Sequence, residues 1–162
     1  MGHYLNIGSE SFQRALRSRI YVDKTDLIGY TNSVLGTDDA FICVSRPRRF
    51  GKSMAANMLA AYYDQSCNSA HLFHKRKASS LPDFNEHLNK YDVIFLNIQQ
   101  LLSAAGSADR VPAFLQSAVL AELRTAYPEY VCATDSYLPS ALASIYSHDC
   151  RSHKGFIFII DE

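Results

Sequence analysis

Net charge and long apolar runs are lacking in this sequence, and each absence excludes a class of protein. Sixteen basic and sixteen acidic residues cancel over 162 residues, so no global field draws the chain to nucleic acid or to an anionic membrane. No apolar run approaches the roughly 18 residues of a membrane span, and the N-terminus has no apolar signal region. These absences favour a cytoplasmic protein without a membrane partner.

The cysteines do not suggest a disulfide framework. Cys43, Cys67, Cys132 and Cys150 show no Cys-x-x-Cys spacing. The chain is long enough to bury a sizeable core, and 48% of its residues are apolar. We therefore expect reduced thiols and one domain over residues 1–162.

Three short apolar runs predict buried strands, at Phe41 to Ser45, Asp92 to Ile98 and Phe156 to Ile160. Their apolar character is continuous, which is typical of strands covered on both faces. Helical periodicity occurs between and before them. The predicted order is helices within 1–40, a strand and helix over 41–66, a second strand over 91–98, helices over 110–148 and a last strand over 155–162. Alternation of this kind predicts an α/β fold with a mainly parallel sheet and helices on both faces.

The stretch SRPRRFGKSM, residues 45–54, ends like the phosphate-binding loop G-x-x-x-x-G-K-[ST]. Arg46 stands where the first glycine of that Walker A pattern belongs. A preceding strand, a glycine at Gly51 for close backbone approach and a helix opened by Lys52 supply what phosphate binding needs. Pro47 fixes its own φ and removes an amide that is not required, so we interpret it as a stiffener that replaces the missing glycine.

The loop predicts a site for a nucleoside triphosphate. Backbone amides of Arg49, Phe50, Gly51 and Lys52 are expected to face the phosphates, with Ser53 and Met54 continuing toward the α-phosphate. The Lys52 side chain would neutralise charge on the β- and γ-phosphates, and the Ser53 hydroxyl would ligate Mg²⁺. The alternative is a strand, a turn and a basic helix start that only share the tripeptide Gly-Lys-Ser.

The last predicted strand ends in two carboxylates, Asp161 and Glu162. Asp161 would hold Mg²⁺ through water, as a Walker B acid does, and Glu162 would orient and deprotonate the attacking water. The predicted catalytic residues are thus Glu162 and Lys52, and the predicted metal ligands are Ser53 and Asp161. An apolar strand that ends in acids is common by itself, so the inference depends on its combination with the loop.

With these motifs the chain resembles the AAA-ATPase-like family of prokaryotic proteins. The resemblance runs through IGSESFQRALRSRIYVDKTDLI, SRPRRFGKSM, AAYYD, LNKYDVIFLNIQ and FIFIIDE, which is essentially the whole sequence. In that family R-P-R-R-F-G-K-[ST] is the expected loop, so Arg46 departs only from the general motif. The resemblance implies a three-layer P-loop NTPase-type fold, ATP and Mg²⁺ as cofactors, and ATP hydrolysis.

Members of the family continue beyond the acidic motif and are often fused to a PD-(D/E)xK nuclease-like domain. The resemblance therefore implies an N-terminal piece whose sheet is incomplete, whose hydrolysis is weak, and whose contact with nucleic acid belongs to the full-length protein. An unpaired edge at Phe156 to Ile160 would also favour self-association.

Two alternatives stay open. The chain is either an ATPase or a nucleotide-sensing module with little turnover that regulates an attached nuclease-like domain. The segment Tyr21 to Thr25 (YVDKT) either contacts the base or ribose, or is structural. In the structural case Asp23 and Thr25 cap a helix, and Tyr21 and Val22 pack in the core. For this segment we favour the structural interpretation.

Overall fold

The computed structural model describes residues 2–47, 49–148 and 154–161. The chain forms two compact units, each with its own core. One unit comprises residues 8–90 and is called the loop unit, because it contains the glycine-lysine-serine loop. The other comprises residues 1–7 and 91–162 and is called the strand unit.

The loop unit is built mainly from helices. They are α1 (Glu10–Leu16), α2 (Asp26–Val34), α3 (Lys52–Tyr63), α4 (Ala70–Phe73) and α5 (Phe84–His87), with a 3-10 turn at Lys77–Ser80. The helix predicted within residues 41–66 is α3, and its far end is buried through residues such as Met58 and Ala61. The helix that opens at the candidate loop is therefore anchored at its other end in a core.

Aromatic side chains fill that core. The ring centroid of Tyr62 lies 4.8 Å from that of Tyr63, 5.6 Å from that of Phe73 and 5.3 Å from that of Phe84. The buried hydroxyls are satisfied: Tyr62 donates to the Phe84 carbonyl at 2.8 Å, and Tyr63 donates to Asn32 Oδ1 at 2.8 Å. Because large rings with bonded hydroxyls have few alternative placements, the direction of α3 is well defined.

In its described residues the strand unit combines a small sheet with three α-helices. In chain order its elements are β1 (Asp92–Asn97), α6 (Ile98–Ala105), a 3-10 turn (Ala108–Arg110), α7 (Val111–Ala126), α8 (Leu138–His148) and β2 (Phe156–Asp161). Strands β1 and β2 pair in parallel, with Asp92 opposite Phe156 and Asn97 opposite Asp161. The sequence therefore predicted the positions of both strands and their parallel pairing correctly. The predicted burial of β2 on both faces is wrong, because Phe158 is 50% and Ile160 is 67% exposed.

The N-terminal segment extends this sheet by one antiparallel bridge, between Leu5 and Ile94. A carboxylate on α7 also holds the segment in place. Glu122 on α7 accepts hydrogen bonds from the backbone N–H groups of His3 at 2.8 Å, Tyr4 at 3.0 Å and Leu5 at 2.7 Å. No pattern in the sequence predicted this attachment, because its partners are separated by more than a hundred residues.

The predicted strand at residues 41–45 is wrong. Residues 41–47 have no regular secondary structure, and Phe41 is 96% exposed. A strand is stable only when its backbone groups bond to a neighbouring strand, and among the described residues the sheet contains only β1 and β2. Apolar composition indicated a strand here, but the pairing that would stabilise it is not present.

The α/β class and the parallel pairing are confirmed, while the three-layer P-loop arrangement stays a prediction.

Helix α6, which follows β1 directly, is a second difference between the structure and the sequence-based prediction. Asn97 begins that helix by accepting a hydrogen bond from the N–H of Gln100 at 2.9 Å. None of the described helices combines the length and the apolar character that a membrane crossing requires.

Candidate functional site

The candidate loop begins helix α3 with an unusual backbone. Gly51, the N-cap residue, has φ 78° and ψ 29°, in the left-handed region. Arg49 is also left-handed, with φ 68°, whereas Phe50 between them is not among the residues with positive φ. Left-handed residues in a turn can bring successive N–H groups to one side, an arrangement that binds anions. A positive φ at Arg49, a residue with a Cβ, is uncommon and is the kind of strain found at functional sites.

Two lysine ammonium groups lie on the backbone of this loop. The Nζ of Lys52 donates to the carbonyl of Arg46 at 3.1 Å, which closes the loop across six residues. The Nζ of Lys24 donates to the carbonyl of Phe50, the residue before Gly51. The loop therefore carries positive charge on both of its limbs.

The remaining predicted loop residues lie at the start of α3. Ser53 is exposed in the first turn, and its carbonyl accepts a hydrogen bond from the side-chain amide of Asn57 at 2.7 Å. Met54 follows it and is half-buried. Residues 49–54 thus form one continuous stretch in which a left-handed turn leads into a helix N-terminus. Arg48 lies outside the described residues.

Lys24 comes from a turn whose two flanking side chains are fully engaged. Asp23 Oδ1 accepts hydrogen bonds from the N–H of Thr25 at 3.0 Å and from its hydroxyl at 2.8 Å. Asp23 Oδ2 accepts from the N–H of Lys77 at 3.1 Å, and the buried Thr25 hydroxyl accepts from the N–H of Ala78 at 3.0 Å. Asp23 and Thr25 therefore fasten this turn to the 3-10 turn at residues 77–80.

The electrostatics of the turn agree with a structural role. Burial by itself would raise the pKa of the Asp23 carboxyl, but hydrogen bonds from Thr25 and from the Lys77 N–H outweigh it. The pKa of Asp23 consequently lies below its ordinary value, and the group is a carboxylate at neutral pH. The Arg76 guanidinium lies over the ring of Tyr21, 4.9 Å from its centroid.

The structural interpretation of Tyr21 to Thr25 is therefore correct only in part. Thr25 is the N-cap residue of α2 but makes no side-chain capping bond, because its hydroxyl is directed to Ala78. Val22 is 61% exposed rather than packed in the core. The sequence interpretation gave Lys24 no role. The sequence signal that could have indicated a role for Lys24 is its place between Asp23 and Thr25, two polar residues that fix the turn.

Asp161 in the strand unit has a different environment. It is the last residue of β2, in register with Asn97 at the end of β1, and it is only 7% exposed. Within the described residues, no hydrogen bond or ion pair reaches its carboxylate. The carboxyl ends of parallel strands are where α/β proteins bind ligands, and the Asp161 carboxylate is available at such an end. Glu162, the predicted base, lies outside the described residues.

Comparison with known proteins gives one family. The model of the AAA-ATPase-like family, described as "Predicted AAA-ATPase", matches residues 6–162. Neither the curated proteins nor the solved structures contain a match to the chain. The matched range includes the loop with Lys52, the turn with Lys24 and the acid at Asp161, and it confirms the family that the motifs suggested.

Proposed function

We propose that this chain, which belongs to the AAA-ATPase-like family, binds Mg-ATP through its loop and contributes to ATP hydrolysis in the full-length protein. Family membership is consistent with nucleotide binding at this coarse level. The observation that carries the finer proposal is the backbone at Arg49 and Gly51, whose two left-handed residues lie directly before the N-terminus of α3.

The chemistry of the loop suits a polyanion. The N–H groups of residues 49–52 are proposed to form an anion-binding nest, and α3 adds the partial positive charge of a twelve-residue helix. Lys52 supplies a full charge, which would neutralise the β- and γ-phosphates and the charge that develops between them during hydrolysis. Ser53 in the first turn offers a hydroxyl oxygen, the type of ligand that Mg²⁺ takes together with phosphate oxygens.

The acids of the strand unit have proposed roles in the same reaction. Asp161 would accept hydrogen bonds from water bound to Mg²⁺, a role supported by its place at the carboxyl end of β2, where no hydrogen bond or ion pair of the described residues reaches its carboxylate. Glu162 would orient the attacking water and take its proton. With Lys52, Glu162 completes the proposed catalytic pair. Binding without turnover would instead fit the sensing module.

Mg-ATP should stabilise this chain against unfolding, and Lys52→Ala should remove that stabilisation. A ligand that binds only the folded state adds RT ln(1 + [L]/Kd), about 2.7 kcal/mol at a hundredfold excess over Kd. Chemical unfolding with and without Mg-ATP measures this difference. Lys90→Ala, which removes an exposed lysine elsewhere in the loop unit, is the matched control and should keep the full shift. An equal shift in Lys52→Ala would show that the loop is not the site.

Replacing Asp161 by asparagine should change magnesium dependence while leaving stability nearly unchanged. Without ligand, the variant should be within about 0.5 kcal/mol of the parent, because no hydrogen bond or ion pair of the described residues reaches this carboxylate. With ATP, the extra stabilisation that Mg²⁺ provides should fall, while stabilisation by ATP in EDTA should not change. Both quantities come from unfolding curves at several Mg²⁺ concentrations. Loss of stability combined with an intact Mg²⁺ effect would give Asp161 a structural role instead.

A further inference from the structure

Lys24 is the one charged side chain outside the glycine-lysine-serine motif that the described structure places on the loop backbone. Its ammonium group donates to the Phe50 carbonyl. The same Nζ would lie 3.1 Å from a Cβ built on Gly51. The ammonium group therefore lies against the left-handed part of the loop, on the side that is open because Gly51 has no side chain.

The position of Lys24 is set by its neighbours. Asp23 and Thr25, on either side of it, each bond to the turn at residues 77–80, so its backbone is fixed at two points. Lys77, the other lysine of this region, is paired with Asp26 at 2.7 Å. Within the described residues, no carboxylate pairs with Lys24 itself. The turn therefore presents a positive charge to the loop without a negative partner.

We propose that Lys24 is a second phosphate-binding lysine of this loop, delivered by the Asp23–Thr25 turn. The inference rests on the proposed function and adds a residue to it. An ammonium group has three donors, so Lys24 can keep the Phe50 carbonyl and give another hydrogen bond to a phosphate oxygen. Lys52 is bonded to the Arg46 carbonyl and supplies the second ammonium group. The ligand class is a nucleoside polyphosphate, whose charge needs more than one cation.

The arrangement of two lysines also predicts which nucleotide the loop binds more tightly. Binding through two lysines gains more from a triphosphate than from a diphosphate, because each added phosphate brings further negative charge to the same two cations. Lys24 should therefore contribute to the preference for ATP over ADP, as well as to affinity. A residue that only braced the loop would affect both nucleotides equally.

The test is calorimetric titration of this chain with Mg-ATP and with Mg-ADP. Lys24→Met keeps the length of the side chain and removes its charge, Lys24→Arg keeps the charge, and Lys90→Met is the matched control. We expect Lys24→Met to weaken ATP binding roughly tenfold or more, as loss of a charged hydrogen bond does, and to weaken ADP binding less. Lys24→Arg should recover part of the loss. Unfolding without ligand should be the same in all of these variants.

The outcomes separate this inference from the proposed function. If the parent chain binds neither nucleotide, the proposed function fails and this inference fails with it. If the parent binds ATP and Lys24→Met binds it as tightly as the Lys90→Met control, only the inference is wrong. Equal weakening for ATP and ADP, together with lower stability without ligand, would make Lys24 a brace of the loop and would also overturn it.

Discussion

Replacing Asp64 by alanine is expected to lower the free energy of unfolding by about 3–5 kcal/mol. Asp64 follows α3 and is completely buried. Its carboxylate accepts hydrogen bonds from the N–H of Gly8 at 2.7 Å, from the N–H of Ser66 at 2.8 Å and from the Ser66 hydroxyl at 2.7 Å. Removing it leaves donors without a partner, one of them the buried N–H of Gly8. Because domains are stable by only about 5–15 kcal/mol, the variant should be at the limit of folding.

Urea unfolding of three variants tests this role. Asp64→Asn keeps a carbonyl oxygen but loses the charge and one acceptor, so it should lose about 1–3 kcal/mol and remain measurable if the alanine variant does not fold. Asp38→Ala removes an exposed carboxylate of the same unit and should change stability by less than about 0.5 kcal/mol. If Asp64→Ala matched Asp38→Ala, the Asp64 hydrogen bonds would have no net effect on stability.

The parts of the fold that the sequence predicted depend on local signals. Strands β1 and β2 are continuous apolar runs, and α7 shows a helical repeat with Pro112 in its first turn, a position where a missing N–H costs nothing. The bridge between Leu5 and Ile94 and the attachment of Gly8 to Asp64 could not be predicted. Each joins residues more than fifty positions apart, and such pairings have no periodicity along the chain.

The wrong prediction of a strand at residues 41–45 has the same cause, because it depended on pairing with a distant segment. An apolar, β-branched segment is compatible with a strand, but only a hydrogen-bonded neighbour stabilises one. Composition cannot indicate whether that neighbour is present. In the structure Phe41 and Val44 are exposed, which is the opposite of the two-sided burial that their apolar character suggested.

The residues of the candidate site also fall into two groups, those with a local sequence signal and those without one. Positions 49–54 could be proposed from the sequence because a loop, a glycine and a helix start follow one another along the chain, and their role in binding stays a prediction. Lys24 could not be assigned in this way, since its contact with the Phe50 carbonyl joins residues 26 positions apart. The polar anchors around it indicated a fixed turn, but the direction of the lysine required the fold.

Gly51→Val is expected to remove nucleotide binding, and the reason can be separated from its effect on stability. Gly51 has φ 78°, where a residue with a Cβ pays about 1–2 kcal/mol, and more when it is β-branched. The new side chain would also stand where the backbone must approach phosphate oxygens. Mg-ATP should therefore no longer stabilise the variant, even under conditions in which the variant is folded.

Gly36→Val is the matched control for this experiment. Gly36 has φ 73°, and a Cβ built there meets no atom within 4 Å, so its valine carries the same backbone strain without entering the loop. Both variants should lose similar stability in urea unfolding without ligand. Only Gly51→Val should lose the shift on addition of Mg-ATP. If Gly36→Val lost the shift as well, the loss at Gly51 would reflect general destabilisation.

Pro47→Ala completes the comparison. We interpret Pro47 as a residue that limits the backbone on the first limb of the loop, so its replacement should weaken nucleotide binding only modestly, by less than about tenfold. Its nitrogen carries no N–H, so the replacement removes no phosphate donor. Titration of Mg-ATP into Pro47→Ala and Gly51→Val shows directly which variant loses more affinity. A larger loss in Pro47→Ala than in Gly51→Val would mean that rigidity of the first limb, rather than close backbone approach at Gly51, determines binding.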